Sequence, residues 1–280
     1  MIRMVRFYIR LIKTPQAALL LFTAMAGYRS AGGNLGLLEI MIAMLGLLFA
    51  ISGTTALNMV FDRDIDVVME RTRNRPIPTG MISPKGAFIF GSVLILVGMS
   101  GNYWVSLLYA NVVLAGVFFD LAVYTLWLKR RSPWSIVFGG MAGAMPILAG
   151  RTLALGYIDW VGILLALAIL LWIPSHILTL AMNHSRDYKL AGVPTFPNVF
   201  GFENARYFMA VSNLAAAGVM LAVFLWLNVS VSGIVVLLLG SLFLLGFSLR
   251  NILHPSEKTN FALFKYVSLY MAGAMLILIL

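Results

Sequence analysis

Long apolar stretches, separated by short polar segments, follow one another along the whole chain. About nine of them are long enough to cross the roughly 30 Å hydrocarbon core of a bilayer as α-helices. Turn-forming residues stand at most of their ends, for example Gly101-Asn102 and His254-Pro255. The pattern therefore predicts an all-α, polytopic membrane bundle that forms a single domain over residues 1–280. The predicted spans are 15–31, 36–61, 84–101, 105–128, 134–154, 159–182, 205–227, 229–249 and 261–280.

The composition agrees with a membrane protein and limits its chemistry. Hydrophobic residues make up 61% of the 280 positions, whereas soluble domains are about 45–50% apolar. The chain has no cysteine, which excludes disulfides, thiol nucleophiles and thiolate ligands. Any bound metal must therefore be held by oxygen or by histidine nitrogen.

The positive charge of the chain follows its predicted membrane topology. Of the 20 Lys and Arg residues, all except Arg29 and Arg151 lie in the N-terminal arm, in the loops after the second, fourth, sixth and eighth spans, or in the first five residues of the span that follows such a loop. By the positive-inside rule, these segments and the N-terminus are cytoplasmic and the C-terminus is outside. The net charge of +10 is thus explained by a multi-pass protein of the cell membrane in contact with lipid, and it does not indicate nucleic-acid binding.

Acidic and amide side chains recur at the end of the second span. Asn58, Asp62 and Asp66 are spaced by four residues, so a helix places them on one face. We call these three residues the first acidic station. A solvated helix end would explain a single aspartate there, but the same pattern returns near the end of the sixth span, where Asn183 and Asp187 form the second acidic station.

The two stations indicate an internal repeat. Asn183 follows Asn58, and Asp187 follows Asp62, by the same 125 residues. Because four spans separate the stations, both open on the same side of the membrane and can face each other. We therefore expect two parallel four-helix pseudo-repeats plus one helix. Secondary transporters more often use inverted repeats around a midplane site.

The side chains at the stations suit a metal ion and a phosphorylated ligand. Carboxylate and amide oxygens are hard ligands that suit Mg²⁺, which often bridges one or two carboxylates to substrate phosphates. Basic side chains beside them can neutralise an anion by charge-assisted hydrogen bonds. Together they predict Mg²⁺-assisted binding of a diphosphate and its stabilisation as a leaving group. The basic residues are Arg63, Arg71, Arg73, Arg75, Arg186 and Lys189.

An apolar bundle beneath a diphosphate site predicts a substrate with a hydrocarbon tail. Prenyl diphosphates (farnesyl, geranyl or geranylgeranyl) have this form, and aromatic faces and a dry site would protect the carbocation that forms when diphosphate departs. The predicted protein is an enzyme that joins a prenyl group to a lipophilic acceptor. A transporter of lipid phosphates or divalent ions is the alternative from another class, although paired acidic stations have no obvious use in translocation.

The motifs resemble those of the UbiA superfamily of intramembrane prenyltransferases. The first station with RTRNRPIPTG, and the second before GVPTFP, resemble its two metal–diphosphate motifs. Within the superfamily, the segments YTLWLKRRSPWSIVFGGMAGAMP and LWIPSHILTLAMNHSRDYKLAGVPTFP most resemble the protohaem IX farnesyltransferase, or haem O synthase, branch. The branch usually has two prolines before its histidine, where this chain has Pro174-Ser175-His176. The acceptor therefore stays open between haem, a quinone-precursor aromatic and an isoprenoid glyceryl phosphate.

The resemblance implies roles for further residues. It implies Asp62, Asp66, Asp187, Tyr124 and Lys129 as catalytic residues, with the five residues of the two stations as Mg²⁺ ligands. For binding of the substrates it implies Arg63, Arg71, Arg75, Arg130, Lys13 and Lys189 at the diphosphate, and His176 at the acceptor. Asp120, one turn before Tyr124 in an apolar run, is either functional or the partner of a buried cation.

Overall fold

The computed structural model describes residues 2–280, and it describes side chains from residue 7 onward. All regular secondary structure in this part of the chain is helical, and it contains no strand. The helices are α1 (Ile2–Leu11), α2 (Thr14–Ser30), α3 (Leu37–Phe61), α4 (Arg63–Val68), α5 (Pro84–Val105), α6 (Leu107–Phe118, continued as a π-helix over Phe119–Leu128), α7 (Ser135–Leu155), α8 (Trp160–Asn183), α9 (Ser185–Leu190), α10 (Phe196–Phe200), α11 (Phe202–Trp226), α12 (Val231–Leu253) and α13 (Glu257–Ile279).

The predicted spans correspond to nine of these helices. Eight of them, counting α6 with its π-helical continuation as one, are long and apolar enough to cross a membrane. The first predicted span is α2, whose 17 residues lie at the short end of the range for a transmembrane helix. The prediction of an all-α membrane bundle is confirmed.

One predicted helix boundary is displaced by tertiary packing. The turn expected at Gly101-Asn102 lies inside α5, which continues to Val105. Asn102 is fully buried against α3, where a Cβ atom added to Gly46 would lie 2.1 Å from the Asn102 Oδ1 atom. The next helix instead begins after Ser106, whose hydroxyl accepts from the backbone N–H of Tyr109.

The predicted parallel repeat is visible in the helix packing. In the first half, α2 packs on α3, α3 on α5 and α5 on α6; in the second half, α7 packs on α8, α8 on α11 and α11 on α12. A six-residue helix follows the acidic station in each half, α4 in the first and α9 in the second. The last helix, α13, packs on α2, α8 and α12.

Small residues bring the two halves into close contact. A Cβ atom added to Gly150 of α7 would lie 1.8 Å from the backbone oxygen of Ala24 in α2. Gly139, in the GGMAGAMP segment, leaves room for the ring of Tyr124, because an added Cβ would lie 2.6 Å from that ring. The segment therefore acts as a small-residue packing face, as expected for membrane helices.

Candidate active site

The first acidic station lies where α3 passes into α4. The backbone N–H of Asp62 donates to the Asn58 carbonyl at 2.9 Å, and that of Asp66 donates to the Asp62 carbonyl at 2.8 Å. The helical spacing of the three residues is thus kept across the junction. The Asp62 and Asp66 side chains are both buried at this end of the bundle.

Both buried carboxylates of the first station form ion pairs. Lys129, just after the π-helical segment, donates to Asp62 Oδ2. Arg75 donates from Nη1 to the two oxygens of Asp66 at 2.9 and 2.8 Å. The Oδ1 atom of Asp62 is buried and has no hydrogen-bond partner among the described residues.

The amide of Asn58 is held by two side chains from the π-helical segment. Thr125 Oγ1 donates to Asn58 Oδ1 at 2.9 Å, and Asn58 Nδ2 donates to Asp120 Oδ2 at 3.0 Å. Sequence reasoning did not identify Thr125, because a threonine in an apolar span carries no signal of its own. For Asp120 the sequence left two roles open, a functional one and that of a partner to a buried cation.

The second acidic station is supported by α13. Asn260 donates from Nδ2 to Asn183 Oδ1 at 2.7 Å and to the Thr179 carbonyl at 2.9 Å. Asn260 is buried although it directly follows the polar residues that begin α13, so its sequence context gave no signal of this contact. The exposed amide of Asn183 is therefore fixed by the last helix of the chain.

A hydrogen bond joins the loop that follows the first station to the second station. The backbone N–H of Arg71, in the loop after α4, donates to Asp187 Oδ2 at 3.2 Å. Beside this contact, Ile65 and Met69 from the first half pack with Val193 from the second half. The expectation that the stations face each other agrees with these contacts.

The predicted basic residues fall into an inner and an outer set. Lys13, at the junction of α1 and α2, belongs to the inner set: burial, together with the nearby Arg75 guanidinium, lowers its pKa to about 8. Arg63, Arg71 and Lys189 are exposed, and within the described residues their side-chain nitrogens form no hydrogen bond or ion pair. They form the outer rim of the site.

Arg130 is engaged at the α3–α4 junction. Its Nη1 and Nη2 atoms donate to Asp64 at 2.6 and 2.7 Å, and Nη2 also donates to the Phe61 carbonyl at 2.8 Å. The hydrogen bond from Arg130 lowers the pKa of Asp64 to about 2. The structure thus brings Arg130 to the end of α3, beside the first station.

Tyr124 and His176 occupy different parts of the site. Tyr124 is half-buried next to Lys129, with 5.7 Å between Lys129 Nζ and the ring centroid. His176 lies deeper in α8, stacked between Trp172 and Phe264 at centroid distances of 4.8 and 4.9 Å. Its Nδ1 atom is 3.0 Å from Ser268 Oγ.

The donor set fits divalent metal ions shared with a ligand, not a closed all-protein cage. No group of three or more His, Asp or Glu side chains within residues 7–280 is close enough to hold a metal by itself. The unpartnered Asp62 Oδ1 atom and the amide oxygens of the two stations are oxygen ligands of the type that Mg²⁺ accepts, and Mg²⁺ commonly completes its shell with water and substrate phosphate.

Comparison with known proteins gives consistent matches over most of the chain. The model of the UbiA prenyltransferase family matches residues 19–272. A protoheme IX farnesyltransferase of Archaeoglobus fulgidus is 43% identical over 218 residues, covering 78% of this chain and 76% of the relative. One of Agrobacterium fabrum is 37% identical over 275 residues, covering 95% and 86%.

Solved structures show the same fold at lower identity. A chain described as digeranylgeranylglyceryl phosphate synthase has a TM-score of 0.82 at 17% identity and covers 99% of this chain and 98% of its own length. A UbiA homologue of Archaeoglobus fulgidus bound to GPP and Mg²⁺ has a TM-score of 0.69 at 17% identity, with coverages of 98% and 100%. Identities this low carry the fold and no substrate assignment.

Proposed function

Because this chain belongs to the UbiA prenyltransferase family, and is therefore a multi-pass membrane prenyltransferase, we propose that it transfers a farnesyl group from farnesyl diphosphate to protohaem IX in a Mg²⁺-dependent reaction. The observation that carries the choice of substrates is the identity of 37–43% over most of the chain with proteins named protoheme IX farnesyltransferase. The transporter alternative is set aside by the family membership.

Five oxygen-bearing residues would hold Mg²⁺. When bound, the metal supplies positive charge that stabilises the departing diphosphate. The chain presents the ligands from two separate helix ends, so a diphosphate between the stations would be contacted from both sides. A UbiA homologue of the same fold binds GPP and Mg²⁺, which supports a magnesium requirement by analogy. The proposed ligands are Asn58, Asp62, Asp66, Asn183 and Asp187.

The basic residues contact the diphosphate in order of depth, first at the rim of the site and then inside it. Arg63, Arg71 and Lys189 are exposed and can meet an anion arriving from solution. Lys129 and Arg75 now neutralise Asp62 and Asp66, and they can turn to the diphosphate oxygens once the carboxylates have another cation. Lys13, whose lowered pKa of about 8 leaves it mostly charged near neutral pH, adds a further donor.

The transfer exchanges one bond for another at the first carbon of the prenyl chain. The C–O bond breaks and its electron pair leaves with the diphosphate, while the π pair of an acceptor carbon–carbon double bond forms the new C–C bond. The positive charge that this leaves on the acceptor is discharged by loss of a proton or by addition of water. Tyr124 lies beside Lys129, where its ring can face the developing allylic cation. The apolar bundle excludes water that would otherwise capture this cation.

One nitrogen of the His176 ring is left for an acceptor. Trp172 and Phe264 cover the two faces of the imidazole in a three-ring stack, and Nδ1 is paired with Ser268 Oγ, so Nε2 is the atom that can contact a further ligand. We propose that His176 contacts the haem. The likeness to a digeranylgeranylglyceryl phosphate synthase does not favour a glyceryl acceptor, because it extends only to the fold.

A product assay tests this function. Purified protein in bilayer nanodiscs is given labelled farnesyl or geranylgeranyl diphosphate with protohaem, an aromatic quinone precursor or geranylgeranylglyceryl phosphate, and products are identified by mass. We expect farnesylated haem with equimolar diphosphate release, and no product in excess chelator. A prenylated aromatic or glyceryl product without a haem product would reject the haem assignment.

A binding measurement isolates the acceptor site. Wild-type protein should bind haem with an absorption spectrum that changes in His176→Ala, while binding of farnesyl diphosphate persists. Ser268→Ala serves as the matched control, because it removes the hydrogen-bond partner of His176 and leaves the imidazole in place. An unchanged haem spectrum in His176→Ala would contradict the proposed contact.

A further inference from the structure

Asp120 is a carboxylate inside the bundle that takes no part in the reaction described above. It lies in the first turn of the π-helical segment, and its Oδ2 atom accepts the hydrogen bond from Asn58. The charged groups that act on it are Lys13, Lys129 and Asp62, from three different segments. An ionisable side chain in a membrane-spanning helix is costly and usually has a function.

The contact matters because the two ends of an asparagine amide differ chemically. The oxygen can accept hydrogen bonds or bind a cation, whereas the NH₂ group can only donate. At Asn58 both ends have partners, and the carboxylate specifies the orientation, because it can only accept whereas the Thr125 hydroxyl can donate or accept. Thr125 donates to Oδ1, and Asp120 accepts from Nδ2.

The opposite orientation of this amide is disfavoured by Asp120. Rotation of the amide by half a turn would place Oδ1 against the carboxylate oxygen of Asp120, so two acceptors would meet. In the observed orientation Oδ1 keeps one lone pair free, because Thr125 uses only one of the two. Asp120 thereby determines which end of the amide can take a further partner.

We infer that Asp120 is a positioning residue that keeps the amide oxygen of Asn58 available to Mg²⁺. The inference rests on the proposed role of Asn58 as a metal ligand. Outer partners that orient metal ligands commonly contribute 10- to 100-fold in metal affinity. The second station lacks this arrangement, since Asn183 is held only through its oxygen, by Asn260, within the part of the chain that the structure describes.

Two substitutions at position 120 separate the hydrogen bond from the charge. Asp120→Leu removes the acceptor, whereas Asp120→Asn keeps an acceptor oxygen and removes the charge. The measurement is the Mg²⁺ concentration that half-saturates binding of labelled farnesyl thiolodiphosphate, an unreactive analogue. We expect this concentration to rise by about 10- to 100-fold in Asp120→Leu and to stay within about twofold of wild type in Asp120→Asn. Equal losses would assign Asp120 as a counter-ion of Lys13 and overturn the inference.

A double-mutant cycle with Asn58 tests whether Asp120 acts through the amide. In the Asn58→Ala background, Asp120→Leu should have no further effect on the half-saturating Mg²⁺ concentration. An undiminished effect there would overturn the inference. If Asn58→Ala itself leaves that concentration unchanged, the proposed role of Asn58 as a ligand fails, and the inference fails with it.

A second pair of variants covers the case in which Asp120→Leu does not fold. Thr125→Val removes the other hydrogen bond to the amide with little change in shape, whereas Thr125→Ser retains it. Thr125→Val should raise the half-saturating Mg²⁺ concentration, and this effect should also vanish in the Asn58→Ala background. An equal loss of Mg²⁺ affinity in Thr125→Val and Thr125→Ser would overturn the inference. So would a loss in Thr125→Val that is undiminished in the Asn58→Ala background.

Discussion

At the scale of single residues, the two carboxylate oxygens of Asp62 have unlike surroundings. Oδ2 accepts from Lys129, whereas Oδ1 is buried without a hydrogen-bond partner. A buried acceptor without a partner destabilises the folded state, and a buried ion pair repays its desolvation only in part. Asp62 therefore keeps one acceptor oxygen that can serve a bound cation.

Replacement of the station carboxylates should abolish turnover while the bundle stays folded. Asp62→Ala, Asp66→Ala and Asp187→Ala each remove a proposed metal ligand, so we expect activity to fall by more than about 100-fold, beyond the usual effect of an outer-shell residue. Steady-state diphosphate release measures activity, and thermal unfolding in detergent reports the fold.

Asp159→Ala is the matched control for these variants. Asp159 accepts from Arg151 near the N-terminus of α8, at the opposite end of that helix from the second station. Its loss should lower the melting temperature and leave kcat unchanged. Near-normal activity in Asp62→Ala would contradict the proposed metal site.

At the scale of helices, the junction of α3 and α4 is fixed from outside by Arg130. The guanidinium binds the Asp64 carboxylate through two nitrogens and also the last carbonyl of α3. An exposed pair of this kind contributes modestly to stability. Arg130 directly follows Lys129, however, and Asp64 lies two residues after Asp62, so the exposed pair holds the two segments that form the Lys129–Asp62 ion pair. These contacts favour a positioning role for Arg130, in place of the direct diphosphate contact that the resemblance implied.

A charge exchange distinguishes positioning from diphosphate binding. Arg130→Asp and Asp64→Arg should each lower kcat, whereas the double variant should recover part of the loss, because the pair can form again with reversed charges. The measurement is kcat and KM for the prenyl diphosphate. Arg63→Ala, on the outer rim, is the comparison, and we expect it mainly to raise KM. If Arg130→Asp raises KM and the added Asp64→Arg substitution does not lower it again, the result would instead support direct binding of the diphosphate by Arg130.

At the scale of the whole molecule, both acidic stations lie at one end of the bundle. The connecting loops at that end also carry most of the cations. We propose that this end is cytoplasmic, since short cytoplasmic loops carry the excess of Lys and Arg. A soluble diphosphate product would then be released directly into the cytoplasm.

Single cysteines test this orientation, because the natural chain has none. Cysteines at the exposed positions 73 and 131 should react with an impermeant maleimide in permeabilised cells or inverted membrane vesicles, and should not react in intact cells. A cysteine at the exposed Asn34 should react in intact cells. Asn102 is unsuitable as the outer reporter because it is fully buried. Labelling of position 73 in intact cells would show that this loop lies outside and would contradict the proposed orientation.

The sequence by itself determined nine of the described helices, the repeat and the positions of the two stations. Apolar runs of membrane length can satisfy their backbone polar groups only as helices, so the spans followed from local composition. The 125-residue offset from Asn58 to Asn183 and the four-residue spacing of Asn58, Asp62 and Asp66 were likewise visible in the chain. The family prediction depended on these same short motifs.

Only the tertiary structure decided which partners the site residues have. Asn58 meets Thr125, and Asn183 meets Asn260, through contacts between helices that are distant in sequence. Neither Thr125 nor Asn260 belongs to a local motif, because a hydrogen bond across a bundle depends on the rotation and depth of both helices. The end of α5 beyond Asn102 was decided in the same way, since close packing on α3 overrode a local turn signal.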